Sequence, residues 1–330
     1  MAVTMAEITK LRHLTSAGLM DCKKALAETN GDIEAAVEIL RKKGQAVAAK
    51  REDRDAAEGC VLAKNEGNYA AIVALKCETD FVAKNAGFVE LTQKLLDAAV
   101  ANQVKSMDEL KALVIDGRTV EELVVEEGGK TGEKTELGAF EYIVAPSTTS
   151  YNHLGNKLST IAGFNLEGVD YQVGRDVAMQ VASMNPVAVD QASVPANVVE
   201  AEYNVAVEKT KQEQVKKAVE AALKKAGINP NLVDSEDHIE SNIAKGWLTT
   251  EEADKARKIA AETAEQKAAN LPEQMIKNIA DGRLKKFYKE SCLMEQEFVK
   301  DEKQTIAQYL DAAQKGLVVV EFKRVNLNQD

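Results

Sequence analysis

The stretch YAAIVALKCETDFVAKN, residues 69–85, joins a strand signal to the turn that follows it. Residues 69–77 are mostly apolar and rich in Ala, Val and Ile, which is typical of a buried strand. A helix is predicted over residues 87–100, where apolar side chains recur at spacings of three and four. The segment 79–82, Thr-Asp-Phe-Val, therefore lies in a loop or in a first helical turn.

Two interpretations of Thr79, Asp80, Phe81 and Val82 follow from this position. A carboxylate beside a large aromatic at a loop tip is suited to intrude into a neighbouring molecule. Alternatively, Phe81 and Val82 pack into the core while Thr79 or Asp80 caps the helix. Periodicity alone favours the second interpretation, because an aromatic residue beside a helix start is usually a packing residue.

The N-terminal residues 1–44 predict three short helices with apolar residues at helical spacing. Gly18, in the turn at 15–18, is expected to supply backbone freedom, and Gly44 is expected to stop the third helix. Three helices this short enclose one small core. The result resembles a ubiquitin-associated-type bundle, and bundles of that kind are usually docking modules.

The rest of the chain changes character several times. Residues 45–58 are charged and Ala-rich, which favours a solvated helical linker. Strand and helix signals then follow in similar order twice, with a helix expected to end before Gly128, and residues 316–327 form a strand that completes the second sheet. Long helices with a narrow apolar stripe indicate an antiparallel coiled-coil hairpin.

The predicted fold class is therefore α+β, with two similar α+β core subdomains and an inserted helical hairpin. The predicted segments are a three-helix bundle (1–44), a charged helical linker (45–58), a first core subdomain (59–137), a second core subdomain (138–196 and 291–330) and the helical insertion (197–290).

Composition excludes several classes of protein. The chain has 330 residues and a formal net charge of −11, so non-specific binding to nucleic acid or to an anionic membrane is disfavoured. No run of about 18 apolar residues is present, and the N-terminus lacks the pattern of a signal peptide, so a cytoplasmic location without membrane contact is expected. The four cysteines show no C-x-x-C pairing and the three histidines lie far apart, so neither a zinc site nor a cofactor is expected. The cysteines are expected to be buried thiols.

The sequence contains no intact catalytic motif among those considered. The stretch GGKTGEKT, residues 128–135, has Val124 where a phosphate-binding loop needs Gly, and Glu126 and Glu127 would repel phosphate. A polar surface turn is the better interpretation. The basic stretch RLKK at 283–286 could touch RNA, although a solvated helix face is favoured. The sequence therefore does not predict an enzyme.

Three segments resemble signature segments of the translation elongation factor Ts family, the guanine-nucleotide exchange factors of elongation factor Tu. They are LRHLTSAGLMDCKKAL (11–26), ALKCETDFVAKN (74–85) and IADGRLKKFYKESCLMEQEFV (279–299). Ser16 stands where Gly is common in the family, and the helical region 212–270 is longer than in its members.

The resemblance implies a fold and a set of functional residues. The fold is the one predicted above, and the partner is elongation factor Tu. The resemblance assigns Thr79, Asp80, Phe81 and Val82 to the dislodging of Mg²⁺ from the partner's nucleotide site. It assigns partner contacts to Arg12, Gly18, Leu19 and Met20 in the bundle and to Tyr151 and His153 in the second subdomain.

Two rival functions and one rival residue role stay open. A scaffold would bind the partner without altering its nucleotide lifetime, and an enzyme would use the GGKT region or another site. His153 could equally be a hydrogen-bonded surface histidine.

Overall fold

A computed structural model describes residues 3–15, 17–51 and 53–328 of the chain. The helices are α1 (Met5–Thr15), α2 (Leu19–Glu28), α3 (Ile33–Ala49), α4 (Asp80–Ala83), α5 (Ala86–Ala101), α6 (Met107–Ala112), α7 (Val120–Thr131), α8 (Tyr171–Met184), α9 (Ala196–Lys225), α10 (Glu236–Ala244), α11 (Thr250–Ala269), α12 (Glu273–Ser291) and α13 (Ile306–Ala313). The strands are β1 (Glu58–Glu66), β2 (Tyr69–Cys77), β3 (Val114–Ile115), β4 (Arg118–Thr119), β5 (Glu136–Val144), β6 (Ser147–Asn152), β7 (Leu158–Phe164), β8 (Glu297–Phe298), β9 (Asp301–Thr305) and β10 (Val319–Asn326).

Strand β2 is buried on both faces of its sheet. Val73 and Leu75 pack into a cluster with Phe88 and Leu95 of α5, while Ile72 faces a second cluster. Successive side chains of a strand point to opposite faces, so a strand covered on both sides needs an unbroken apolar sequence. This explains the composition of β2 and confirms the strand predicted there.

The second sheet has the order β10-β7-β6, with antiparallel pairing throughout. Its central strand β7 is buried along its whole length. Ile161 of β7 packs against Ile72 and Ile143 of the first sheet, whereas Phe164 packs with Val177 of α8. The two sheets therefore meet through a shared apolar layer, and each has helices on its outer face. The α+β class and the return of the C-terminal strand to the second sheet are confirmed.

The first sheet has the order β1-β2-β5. Strand β5 covers residues that the sequence analysis places mostly in the second subdomain, yet it pairs with β2 from Tyr69↔Val144 to Lys76↔Glu136. Pairing with the long strand β2 satisfies the backbone groups of β5 that face β2 over nearly the full length of β5. Residues 138–144 thus belong to the first sheet, and the wider division into domains stays a prediction.

Two glycines expected to end helices lie inside them. Helix α3 continues past Gly44, and α7 continues past Gly128 and Gly129 to Thr131, before Gly132 adopts φ 72°. A Cβ on Gly129 would lie 2.6 Å from the Cα of Gly44, so the two helices cross with their backbones almost touching. Both predicted helix ends are wrong, because here the glycines permit a close helix crossing rather than a change of backbone direction.

The three predicted N-terminal helices are present as α1, α2 and α3. Thr4 caps α1, since its Oγ1 accepts the Glu7 N–H at 3.3 Å and its own N–H donates to Glu7. Leu11, Cys22 and Leu26 lie in the core of the bundle. Each of the four cysteines of the chain is buried and forms no disulfide, as predicted.

Residues 190–292 form a separate compact unit. Helix α9 runs antiparallel to α11 and α12, which return beside it. Glu213 near the middle of α9 pairs with Arg283 of α12 at 2.6 Å, and Leu223 near the end of α9 packs with Ala256 of α11. The helical structure is interrupted between α11 and α12, at residues 270–272, because Pro272 has no backbone N–H to donate. Helix α10, a short helix capped by Ser235, was not predicted from the sequence. Among the described residues, no helix combines the length and apolar character needed to cross a membrane.

We expect Gly129→Ala to lower the midpoint of thermal unfolding, measured by circular dichroism. Alanine raises helix propensity by about 1 kcal/mol, but the added Cβ meets backbone, and overpacking of this kind costs about 1–3 kcal/mol. Gly282→Ala in α12 is the matched control, because, apart from its own helix backbone and chain neighbours, no atom of the described residues lies within 4 Å of its added Cβ. Gly282→Ala should raise the midpoint of thermal unfolding of the unit formed by residues 190–292, which contains α12. A higher midpoint for both variants would contradict the α3–α7 crossing.

Candidate functional site

The segment Thr79–Val82, called the tip below, divides the two interpretations between its residues. Thr79 caps α4, since its Oγ1 accepts the Val82 N–H at 3.4 Å, and Val82 packs against the core of the first sheet. Phe81 instead projects outward and is 84% exposed, more than any other aromatic side chain that the structure describes. Capping and inward packing therefore apply to Thr79 and Val82, and the outward interpretation applies to Phe81.

Asp80 lies beside the exposed ring and faces solvent. Its carboxylate accepts a hydrogen bond from the Lys84 Nζ at 2.6 Å, one turn further along the chain. This hydrogen bond lowers the pKa of Asp80, so the tip carries a negative charge at neutral pH. The pair is exposed, and water weakens its attraction.

Glu133 binds Thr79, the first residue of the tip, and Glu78 immediately before it. One carboxylate oxygen of Glu133 accepts the N–H groups of Glu78 and Thr79 at 3.1 and 3.0 Å, and the other accepts the Thr79 hydroxyl at 2.6 Å. The Cys77 thiol lies 3.3 Å from the Thr79 carbonyl oxygen, and burial raises the pKa of that thiol to about 12. The start of the tip is thus fixed by Glu133, which lies 54 residues further along the chain, and by the nearby Cys77 thiol.

Glu78 is the centre of a second set of contacts. Its carboxylate accepts the Lys134 N–H at 2.6 Å and the guanidinium groups of Arg51 and Arg54 at 3.1 and 2.9 Å. The hydrogen bond from Lys134, followed by those from the arginines, lowers the pKa of Glu78 to about 2. Residues 45–58 were expected to form a solvated helical linker. That expectation is wrong beyond Ala49, because Arg51 and Arg54 are held by Glu78 and strand β1 already begins at Glu58.

Two of the four predicted contact residues of the bundle lie on one surface. Arg12 and Leu19 line a shallow depression together with Thr9 and His13. Leu19 is exposed at the start of α2, and the neighbouring Met20 is 60% exposed. The combination offers apolar side chains beside a cation.

Gly18 does not supply the backbone freedom expected of it. It precedes α2 with φ −60° and ψ 145°, an extended conformation open to any residue. The nearest atom to an added Cβ is Asp21 Oδ2 at 3.8 Å. Nothing in its surroundings therefore requires glycine, and Ser16, the other residue singled out in this turn, lies outside the described residues.

Tyr151 and His153 form a pair on the second sheet. The Tyr151 hydroxyl lies 3.0 Å from His153 Nδ1, and the Arg175 guanidinium carbon lies 5.7 Å from the Tyr151 ring centre. Two exposed residues were not predicted from the sequence: Leu154, next to His153 in the chain and 91% exposed, and Tyr171, 75% exposed, whose hydroxyl lies 3.4 Å from the Arg175 guanidinium. The turn signal at Gly155, with φ 87°, could have indicated that Leu154 projects. This surface is aromatic and apolar with one cation.

The GGKTGEKT stretch does not form a phosphate-binding loop. Gly128 and Gly129 lie within α7, and Lys130 pairs with Glu126 and Glu127 at 3.3 and 3.5 Å. The polar surface turn predicted there begins only after Thr131, since the close helix crossing keeps the first residues helical. Within residues 3–15, 17–51 and 53–328, no group of His, Cys, Asp and Glu side chains is placed to hold a metal ion.

Comparison with known proteins gives a consistent result. The family model described as elongation factor TS matches residues 78–329. Proteins named elongation factor Ts from Parabacteroides distasonis and Phocaeicola vulgatus are 58% and 59% identical to the chain, and the one from Porphyromonas gingivalis is 46% identical. Each alignment covers 100% of both proteins.

We expect Glu78→Gln to lower the free energy of unfolding at pH 7 by about 1–2 kcal/mol, the usual size for hydrogen bonds to a partly exposed charged group. The folded-state pKa of about 2 lies below the ordinary 4.5, so the carboxylate stabilises the folded state above pH 4.5. That contribution is lost as the pH falls from 4.5 towards 2, and the difference between the two proteins should narrow over this range. Urea unfolding at a series of pH values measures it.

The control for Glu78→Gln is Glu38→Gln, which removes exposed ion pairs at 3.8 Å to Arg41 and Lys42. We expect this control to change the free energy of unfolding by less than about 0.5 kcal/mol. A pH-independent effect of Glu78→Gln would show that its carboxylate has an ordinary pKa.

Proposed function

The chain belongs to the elongation factor Ts family, and from this premise we propose that Phe81 enters elongation factor Tu and loosens its hold on Mg²⁺ and GDP. The general role of the family is nucleotide exchange on elongation factor Tu, which makes and breaks no covalent bond. The observation that supports the finer proposal is the exposed ring of Phe81 on a tip in which Thr79 and Val82 are anchored.

Exchange by such a factor is a matter of coupled binding. If the factor binds nucleotide-free elongation factor Tu more tightly than the GDP-bound form, GDP must bind the complex more weakly by the same ratio. Each tenfold weakening requires about 1.4 kcal/mol of interaction made only with the distorted partner. Burial of a fully exposed Phe side chain contributes roughly 1.5–3 kcal/mol, so one ring can supply about ten- to a hundredfold.

The partner's Mg²⁺ is a sensitive target for a small displacement. Mg²⁺ requires near-ideal octahedral geometry with oxygen ligands at about 2.0–2.1 Å, so a shift of the elements that carry those ligands removes much of its binding. In this proposal Phe81 displaces those elements, Asp80 adds negative charge or accepts a new hydrogen bond, and Thr79 and Val82 hold the tip. GTP, which is more abundant in the cell, then replaces GDP and releases the factor.

Two other surfaces supply the binding that brings the tip to its target. Arg12, Gly18, Leu19 and Met20 would contact the domain that binds the nucleotide, and the Tyr151–His153 pair would contact another domain. Interactions that are equally strong before and after GDP release lower the concentration needed for half-maximal rate without changing the maximal rate.

Of the rivals, a pure scaffold would bind elongation factor Tu without shortening the lifetime of its GDP. An enzyme of the GGKT region is disfavoured, because Gly128 and Gly129 are helical and Lys130 is paired with carboxylates. A nucleic-acid role for residues 283–286 is also disfavoured, since Arg283 pairs with Glu213 and Lys286 with Glu290. We place the exchange reaction in the cytoplasm, where translation occurs.

We expect Phe81→Ala to lower the maximal rate of GDP release from elongation factor Tu about tenfold or more, because the ring supplies interaction that is made only with the distorted partner. Stopped-flow release of a fluorescent GDP at saturating factor measures this rate. Val114→Ala, which truncates another exposed apolar side chain near the first sheet, is the control and should leave the rate unchanged. An unchanged rate for an Asp80→Ala/Phe81→Ala double variant would reject the role of the tip.

We expect Met20→Ala to raise the factor concentration at half-maximal rate several-fold while the maximal rate stays constant, because Met20 contributes binding that does not distinguish the two states. The same stopped-flow titration separates the two quantities. Met5→Ala is matched in residue type and exposure at the far end of α1 from Arg12, and it should change neither quantity. A fall in the maximal rate alone would contradict the assignment of Met20 to uniform binding.

A further inference from the structure

Glu133 lies 54 residues from Thr79 in the chain and accepts two hydrogen bonds from Thr79 of the tip and one from the preceding Glu78. It follows Gly132, whose φ of 72° turns the chain sharply at the end of α7. Its carboxylate thereby reaches Glu78 and Thr79, the first residues after β2. Here the backbone has left the sheet, and its N–H groups no longer have a strand partner. Glu133 supplies the acceptors that the sheet cannot.

The contact with the Thr79 hydroxyl also fixes the direction of the next hydrogen bond. A hydroxyl has one proton to donate, and the Thr79 hydroxyl donates it to Glu133 at 2.6 Å. Its lone pairs are then left to accept the Val82 N–H, which closes the first turn of α4. Since successive residues of a helical turn are about 100° apart, holding Val82 inward places Phe81 outward.

Resting on the proposed role of Phe81, we propose that Glu133 is a positioning residue for nucleotide exchange, which keeps the tip in its projecting conformation before the partner arrives. Glu133 itself does not touch elongation factor Tu in this proposal. Its effect is to raise the fraction of molecules whose Phe81 is ready to enter, and the apparent strength of the interaction that Phe81 makes scales with that fraction.

A positioning role predicts a different kinetic signature from a structural one. The N–H groups that Glu133 binds are partly exposed, so water can replace the carboxylate and the fold should survive its loss. The binding surfaces around Met20 and Tyr151 do not include Glu133. Loss of positioning should therefore lower the maximal rate and leave the half-maximal concentration almost constant, whereas general destabilisation would reduce the active fraction and the unfolding midpoint together.

The test uses the full chain and stopped-flow release of fluorescent GDP from elongation factor Tu across a range of factor concentrations. We expect Glu133→Ala to lower the maximal rate about tenfold and to change the half-maximal concentration less than twofold. Glu133→Asp keeps the charge but is one methylene shorter, so it should show a similar loss. Glu133→Gln keeps an oxygen for the two N–H groups and an amide for the Thr79 hydroxyl oxygen, so it should restore the rate to within about threefold of the natural protein.

A double variant decides whether Glu133 acts through the ring. If it does, Glu133→Ala combined with Phe81→Ala should be no slower than Phe81→Ala alone, because there is no ring left to position. Glu109→Ala is the matched control: its carboxylate also accepts a backbone N–H, that of Lys105 at 2.7 Å, in the region near Tyr69 at the opposite end of β2. It should leave both kinetic quantities unchanged.

The outcomes separate the two proposals. A slow Phe81→Ala with a normal Glu133→Ala would overturn the positioning role and leave the role of the ring intact. Rate losses that multiply in the double variant, or a loss confined to the half-maximal concentration, would also overturn it. A normal rate for Phe81→Ala itself would reject the proposed function of the tip and, with it, any positioning through Phe81.

Discussion

Burial of β2 on both faces is the constraint from which the position of the tip follows. Val73 and Leu75 face the α5 side, while Ile72 and Ala74 face the second sheet. A slip of one residue would exchange these two sets, and two differently shaped apolar layers resist that exchange. The end of β2 at Cys77 is therefore fixed, and the chain leaves the sheet at one defined point, immediately before Thr79.

Helix α7 links the other parts of the molecule to that point. Gly129 lets α7 approach α3 of the bundle closely, and three residues later Gly132 turns the chain so that Glu133 reaches Thr79. One helix thus fixes the bundle on the first subdomain and delivers the carboxylate that binds the tip. Arg51 and Arg54 add a second connection, since both follow α3 and bind Glu78.

Local signals in the sequence predicted what local physics decides. Helical spacing predicted α5, α9 and α11, and the apolar run predicted β2, because those elements depend on residues a few positions apart. Gly44 and the Gly128–Gly129 pair were misread because a glycine that ends a helix and a glycine that admits a neighbouring helix have the same local appearance. The β2–β5 pairing and the Glu133–Thr79 contacts join residues far apart in the chain, and no local pattern encodes them. For the tip, periodicity favoured packing, which is right for Val82 and wrong for Phe81.

An anchored tip has a physical advantage over a mobile one in an exchange factor. A mobile tip would fold its exposed ring against its own surface and would lose conformational entropy on entering the partner, and both effects would subtract from the interaction. A tip already fixed by Glu133 and by the packing of Val82 has little left to lose. In the proposed mechanism, the distortion that accompanies binding then falls on the partner, where it weakens the binding of GDP, rather than on the factor. In this view the exposure of Phe81 and the rigidity of its neighbours are two parts of one device.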